Sequence, residues 1–273
     1  MSTRKLRTLA VTSFFLQALI TGCSNAQQDS PAAGVAPADT TENQSTPMNT
    51  APSEGNYYEI STPKGRMVVR LYDDTPEHRD NFARLANEGY YDGTTFHRVI
   101  ANFMIQGGDP NSKNDDPMDD GAGGPGYTLS AEINPAHFHK RGALAAARQG
   151  DVVNPTRASS GSQFYLVLGG APFDSTTLDQ IERSLRTQIP DPGFTFSDSA
   201  RAAYMRDGGA PHLDGMYTVF GEVVEGFDVL DAIGNSPTAR STGKSVQPAL
   251  VDQPFDKIVM QVKHLENYTP PQR

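Results

Sequence analysis

The chain has 273 residues, and its 32 acidic against 23 basic side chains give a formal net charge of −9 at pH 7. This acidity argues against nucleic acid as a partner and against electrostatic binding to anionic lipid. The only cysteine, Cys23, excludes an intramolecular disulfide. The length is sufficient for one domain with a full hydrophobic core.

The first 22 residues have the pattern of a secretory signal. Three basic side chains precede an apolar run at residues 9–20, which is too short to span a membrane. The run leads into residues 20–23, which resemble a bacterial lipobox, where cleavage leaves the cysteine as the lipid-modified N-terminus. We therefore expect a lipoprotein signal peptide at residues 1–22 and lipid attachment at Cys23, rather than an ordinary signal with an incidental cysteine. This predicts a protein of the bacterial cell envelope that is anchored to a membrane through lipidated Cys23 and faces the periplasm.

Residues 23–55 are rich in Ala, Pro, Ser, Thr, Gln and Asn and contain almost no large apolar side chain. Such a segment cannot bury enough surface to offset the entropy of ordering it. We expect a disordered tether here, followed by a single folded domain at residues 56–268.

The folded domain begins with a predicted hairpin at residues 57–61 and 66–72, around a Pro-Lys-Gly turn. Thr75, as N-cap, and Pro76 then predict the start of a helix that Gly89 ends. Many short strands, spaced glycines and few helices favour a closed antiparallel β-barrel. Further strands are predicted at residues 94–100, 103–106, 127–132, 143–147, 163–168, 217–224 and 257–264, and a second short helix at 226–233.

A helical insertion is predicted at about residues 170–211. Leu178, Ile181 and Leu185 recur with helical spacing and predict an amphipathic helix at residues 175–188. Its apolar face must pack either on the barrel or on a partner, so residues 175–189 are also a candidate docking surface for another protein.

Arg98 stands in an apolar run and is followed by Phe103, Met104 and Gln106. Arginine does not deprotonate and is rarely buried without a partner. An arginine beside these residues suggests a mostly apolar cleft with a few aimed donors, as in a small-ligand or peptide pocket. Taken alone, Arg98 would more often be a structural ion-pair residue, and Phe103 and Met104 would more often be core.

The run at residues 96–109 resembles the signature of the cyclophilin family of peptidyl-prolyl cis-trans isomerases. Further motifs resemble the family in the same order, at residues 57–89, 141–147, 160–166 and 212–222. The resemblance implies a mainly β fold, a closed eight-stranded antiparallel β-barrel capped by two helices. It also implies isomerisation of X-Pro bonds in proline-containing polypeptides, here unfolded or exported proteins, with no cofactor and no metal. The alternative is a proline-peptide binding or chaperone-like module with incidental turnover.

The resemblance also assigns roles to individual residues. Arg98 would be catalytic, because a donor that bonds the prolyl nitrogen only in the twisted state lowers the barrier selectively. Ala147 and Arg148 would lie at a strand edge that pairs with the substrate main chain. The substrate-binding positions are Phe103, Met104, Gln106, Ala147, Arg148, Gln163, Tyr165, His212, Leu213 and Tyr217.

Several of these positions depart from the usual family residue. Tyr217 stands where many eukaryotic members have histidine, and Tyr165 stands where many have phenylalanine. His212 replaces a tryptophan, so we expect weak cyclosporin binding. Arg148 replaces a common asparagine and is expected to add charge at the rim of the cleft.

Two other histidines are close enough in sequence to suggest a metal site. His137 and His139 have no cysteine nearby, and Glu132 is their nearest acidic candidate. We therefore interpret this stretch as a surface strand or loop.

Overall fold

The computed structural model describes residues 56–271. The predicted signal peptide, the tether and Cys23 lie outside these residues, so those predictions are not tested by the structure. Within the described residues, no helix is both long and apolar enough to cross a bilayer.

One antiparallel sheet of eight strands organises the domain. The strands are β1 (Tyr57–Thr62), β2 (Gly65–Leu71), β3 (Arg98–Ile100), β4 (Met104–Gly107), β6 (Ala143–Ala146), β8 (Phe164–Val167), β9 (Val219–Glu225) and β10 (Gln261–His264). Their order is β10-β1-β2-β9-β6-β8-β4-β3. A separate small pair joins β5 (Thr128–Leu129) to β7 (Ser159–Ser160).

The sheet is curled but open, so the prediction of a closed barrel is wrong. The edge strands β3 and β10 have three and four residues, too few to form a continuous closing ladder. In the described part of the chain, the segments before them meet in an isolated bridge between Thr95 and Val259. Farther along, the backbone N–H of Val99 donates to the carbonyl of Asp252 in a loop, at 2.7 Å, instead of to a strand.

Within residues 56–271, five α-helices accompany the sheet. They are α1 (Pro76–Asn87), α2 (Ser175–Leu185), α3 (Asp198–Asp207), α4 (Phe227–Gly234) and α5 (Ala239–Thr242). Helices α1 and α4 confirm the two predicted from sequence, and both bury apolar side chains in the main core. Short 3-10 turns occur at Pro110–Lys113, Pro211–Leu213 and Pro248–Leu250.

Helix α1 is capped by a residue from a distant loop. Thr75 occupies the N-cap position as predicted, but its side chain does not cap the helix. The carboxylate of Glu132 instead accepts from the backbone N–H groups of Glu77, at 3.1 Å, and His78, at 2.9 Å. A carboxylate is favoured there by the positive end of the helix dipole. The strand predicted at 127–132 is limited to β5, and Glu132 lies outside it.

The two faces of the sheet carry different clusters. Successive residues of a strand point to opposite faces, so Phe164 and Leu166 of β8 enter the main core, while Tyr165 and Val167 enter a second cluster. Met104 of β4 belongs to this second cluster. The second cluster forms the floor of the cleft described below.

Helices α2 and α3 lie in the segment where helices were predicted, and they form a third apolar cluster. Leu178 and Leu185 of α2 pack with Phe196, Ala200 and Tyr204. The apolar face of α2 is therefore covered by the chain itself. Whether this segment is an insertion relative to the family stays a prediction, as does a partner bound at residues 175–189.

Candidate active site

A cleft of about 260 Å³ lies over the second cluster. Its lining comes from β3, β4 and β8, from the two residues after β6, and from the Pro211–Leu213 turn and the segment that follows it. Nine predicted site residues line it: Arg98, Phe103, Met104, Gln106, Ala147, Arg148, Tyr165, Leu213 and Tyr217. Gln163 and His212, the other two predicted residues in the described part of the chain, lie beside the cleft.

Arg98 is oriented by the β3–β4 ladder. The register places it directly opposite Gln106, and Arg98 Nη1 donates to Gln106 Oε1 at 3.1 Å. On the other side, Arg98 Nε lies 3.5 Å from Asp252 Oδ2. The Arg98 side chain is 44% exposed, so the guanidinium is held from two sides and still reaches the cleft.

A second glutamine extends this support into the protein. Gln106 Nε2 donates to Gln163 Oε1 at 3.0 Å. Gln163 Nε2 in turn lies 2.8 Å from the carbonyl oxygen of Gly123 and 3.0 Å from that of Gly121. Since Gln163 is buried, its amide has a fixed orientation, and that orientation is transmitted through Gln106 to Arg98.

The floor and walls of the cleft are apolar. Met104 and Tyr165 are buried in the second cluster, with 2% and 5% of their surface exposed. Phe103, Leu213 and Tyr217 are half-buried and pack against the same cluster. The phenol of Tyr165 has its pKa raised well above the usual value by burial, so it stays a neutral hydroxyl. This arrangement provides an apolar socket beside one guanidinium.

The Arg148 side chain does not add a free charge at the rim, contrary to expectation. Its guanidinium lies 4.3 Å from the centroid of the Tyr217 ring, and its Nη1 lies 2.6 Å from Asp151 Oδ1. Arg148 Nε donates to the carbonyl of Met216 at 2.9 Å. The side chain is only 3% exposed, because the ring and the carboxylate cover it.

The predicted pairing of substrate with the backbone of Ala147 meets an obstacle. The N–H of Ala147 already donates to the carbonyl of Gln163 at 3.0 Å, and its carbonyl accepts from Ser160 at 2.8 Å. Pairing at Ala147 is thus limited to the second lone pair of its carbonyl. His212, also predicted to bind substrate, is exposed and rests against Phe103 with ring centroids 5.4 Å apart.

The two histidines that suggested a metal site have other partners. His137 stacks on Tyr72 at 4.0 Å between ring centroids and lies 2.6 Å from Asp74. His139 is only 1% exposed, so its placement in a surface strand or loop is wrong. Its ring contacts Asp214 and the hydroxyl of Tyr165. Among the described residues, no cluster of three or more His, Cys, Asp or Glu side chains could hold a metal ion.

Three residues near the cleft were not found from the sequence: Asp252, Asp214 and, as a neighbour of Tyr165, His139. Asp252 contacts Arg98 from far along the chain, and no local pattern marks it. Asp214 directly follows the predicted Leu213, but its carboxylate was indistinguishable in sequence from a solvated one. The contact between His139 and Asp214 has no signal in the sequence, because it depends on their proximity in the folded chain.

The sequence model of the cyclophilin type peptidyl-prolyl cis-trans isomerase family matches residues 57–255. The chain belongs to this family. This cyclophilin is 36% identical over 181 residues to a protein of Staphylococcus saprophyticus named as a peptidyl-prolyl cis-trans isomerase, covering 65% of this chain and 80% of the relative. A Staphylococcus haemolyticus protein named in the same way is 37% identical, with 65% of this chain and 79% of the relative covered.

The fold of this cyclophilin is similar to a crystal structure of a cyclophilin type peptidyl-prolyl cis-trans isomerase from Cryptosporidium parvum. The TM-score is 0.54 at 24% identity, over 78% of this chain and 99% of the other. Family and relatives together identify the chain as an enzyme of the peptidyl-prolyl cis-trans isomerase class.

Proposed function

We propose that this cyclophilin isomerises X-Pro bonds of unfolded or exported polypeptides in the bacterial envelope, with Arg98 as its catalytic residue. The observation that carries the proposal is the placement of the Arg98 guanidinium over an apolar socket, held by Gln106 and Asp252. A rigidly held donor beside a socket for the proline ring is what the reaction requires.

The chemistry follows from the electronic structure of the imide. Its partial double bond gives a rotation barrier of about 20 kcal/mol. Rotation out of plane breaks resonance and returns a lone pair to the prolyl nitrogen. The Arg98 fork bonds that nitrogen only in the twisted state and holds the substrate carbonyl, so it stabilises the transition state selectively. A charge-assisted hydrogen bond supplies about 1.5–3 kcal/mol, and orientation and desolvation in the cleft supply the remainder.

A protease-coupled assay on an X-Pro peptide tests this role. Arg98→Ala should lower kcat/KM by at least ~100-fold, which is comparable to the effect of removing one preorganised hydrogen-bond donor from the active site of another enzyme. Arg98→Lys should recover little, because lysine keeps the charge but loses the planar fork. Arg206→Ala is the matched control, since this arginine pairs with its neighbour Asp207 and has 72% of its side chain exposed. Near-normal turnover by a folded Arg98→Ala would refute the assignment.

Location in the envelope is supported by the sequence alone. The basic residues, the apolar run at 9–20 and the sole cysteine at Cys23 together support lipid attachment. Growth with a labelled fatty acid should label the wild type but not Cys23→Ala, and only the wild type should sediment with membranes. Density-gradient separation then identifies the membrane. Unlabelled wild-type protein would contradict the anchor.

The second candidate is a binding or chaperone-like module with incidental turnover. One observation favours it: a groove of about 1010 Å³ lies between residues 131–138 and the α2–α3 segment, and it shares no lining residue with the cleft. A partner at residues 175–189 would have to use this groove or the polar face of α2. If the protein is a chaperone-like module, the wild type and Arg98→Ala should suppress the aggregation of a proline-free client protein equally well. An isomerase alone should not suppress it in either form.

A further inference from the structure

Behind the cleft, four buried polar side chains form a continuous hydrogen-bonded relay: Tyr165, His139, Asp214 and Tyr204. The Tyr165 hydroxyl lies 2.9 Å from His139 Nε2, and His139 Nδ1 lies 2.7 Å from Asp214 Oδ1. The Tyr204 hydroxyl donates to Asp214 Oδ2 at 2.6 Å. No member of the relay is more than 5% exposed.

The partners determine where the hydrogens lie. A carboxylate can only accept, and Asp214 Oδ1 also accepts from the backbone N–H of His139 at 2.9 Å. His139 Nδ1 therefore carries the hydrogen that it donates to Asp214. In a neutral imidazole, Nε2 then presents a lone pair that can accept from the Tyr165 hydroxyl. Burial raises the pKa of both tyrosines well above the usual value, so both phenols remain donors.

The relay reaches the floor and one wall of the cleft. At one end it holds the hydroxyl of Tyr165, whose ring lies on the floor of the cleft. In the middle it holds Asp214, whose chain neighbour Leu213 forms a wall of the cleft. The relay therefore fixes two sides of the apolar socket relative to each other, although neither His139 nor Asp214 lines the cleft itself.

At its far end the relay is anchored in helix α3. Tyr204 packs against Phe138, Phe173 and Phe196 in the third cluster. The chain just beyond α3 approaches the His139 segment so closely that a Cβ at Gly209 would lie 2.5 Å from the His139 carbonyl and 2.7 Å from the Tyr204 ring. This contact leaves little freedom for α3 to move relative to His139.

We propose that His139 is a positioning residue for substrate binding. Together with Asp214 and Tyr204, it connects helix α3 to the proline socket, so that the helix supports the socket. The inference rests on the proposed isomerase function and adds a second set of residues to it. Without the relay, the Tyr165 ring and Leu213 lose their fixed separation. A looser socket weakens the binding of the substrate and of the transition state by similar amounts, so KM rises while kcat is unchanged.

Tyr204→Phe is the most informative variant, because it removes one hydroxyl from the far end of the relay and leaves the cleft residues unchanged. We expect KM for an X-Pro peptide to rise about fivefold with kcat within about twofold. His139→Gln, whose amide can both donate and accept, should retain more affinity than His139→Leu. Tyr58→Phe is the control, because Tyr58 is a buried tyrosine of the main core on β1.

Titration of the same peptide separates this inference from the proposed function. If the wild type binds the peptide without turnover, the isomerase proposal fails, and a fivefold weaker Kd in Tyr204→Phe still supports the relay. If Tyr204→Phe and His139→Leu leave both Kd and KM within twofold of wild type, the relay is merely structural and the proposal is overturned. Nitrogen-15 NMR of His139 gives an independent check: protonated Nδ1 with bare Nε2 supports the relay, and the opposite tautomer contradicts it.

Discussion

The guanidinium carbon of Arg148 lies 4.3 Å from the centroid of the Tyr217 ring, and the pair forms one side of the cleft. Asp151 balances the charge, and Arg157 holds Asp151 from the other side at 3.1 Å. A covered cation over an aromatic ring contributes roughly 0.5–2 kcal/mol. The tyrosine at 217 is therefore held by the arginine at 148.

Replacing Arg148 should loosen this side of the cleft. We expect Arg148→Ala to raise KM for an X-Pro peptide by about 3- to 10-fold with little change in kcat, since it removes support for binding but not the catalytic donor. Tyr217→Phe keeps a ring under the guanidinium and should stay close to wild type. Steady-state kinetics across a series of X-Pro peptides measure KM for both variants. An unchanged KM in Arg148→Ala would contradict this role.

Replacing Gln163 with alanine should destabilise the fold less than replacing it with glutamate. Its Nε2 donates to the carbonyls of Gly121 and Gly123 and lies 3.4 Å from Asp109 Oδ2. In Gln163→Glu a carboxylate oxygen would face three acceptors in a buried position, and an unpaired buried charge is strongly unfavourable. We expect Gln163→Glu to be less stable to urea than Gln163→Ala by ~2 kcal/mol or more. Equal midpoints for the two variants would show that this amide is not oriented as described.

The turn after β4 requires glycine at position 108. Gly108 has φ +85°, and a Cβ there would lie 2.4 Å from the carbonyl oxygen of Ser162. Backbone strain and the clash should together cost Gly108→Ala at least ~2 kcal/mol in the free energy of unfolding. Gly124→Ala is the control, because a Cβ at Gly124 would meet nothing within 4 Å. Thermal or urea unfolding of both variants would check this, and equal losses would count against the predicted clash.

Stability should fall as the pH drops below neutral. Burial lowers the pKa of His78, although Glu132 opposes the shift, and burial likewise lowers the pKa of His97. The unfolded chain, with ordinary histidine pKa values near 6.5, then binds more protons than the folded chain. The free energy of unfolding is therefore lost as the pH falls through about 6.5 toward the lower folded-state values.

Urea titrations at pH 7.5 and 5.5 measure this loss directly. His78→Asn keeps a donor near the position of Nδ1 but cannot titrate, so its stability should change less between the two pH values than that of the wild type. His97→Gln should have the same effect. If both variants show the full wild-type pH dependence, other groups are responsible.

The local patterns predicted most of the elements. The hairpin of β1 and β2, helix α1 and helix α4 all occur where propensity and turn residues indicated. Helix α2 begins at Ser175 as predicted and ends three residues early, at Leu185. The strand predicted at 94–100 is shortened to β3, and residues 94–96 instead bond to the segment before β10 around the isolated Thr95–Val259 bridge.

The sequence by itself predicted strands at residues 94–100 and 103–106, which place Arg98 and Gln106 on neighbouring strands, because the apolar runs there have strand-forming residues. It also determined, through ordered motifs, the family and the cleft residues. Only the tertiary structure decided that Asp252 holds Arg98, that Asp151 neutralises Arg148, and that His139 and Asp214 stand behind Tyr165. These contacts depend on desolvation and on the exact distances between side chains that folding brings together. The identity of a charged or polar residue in the sequence gives neither its burial nor its distance from a partner.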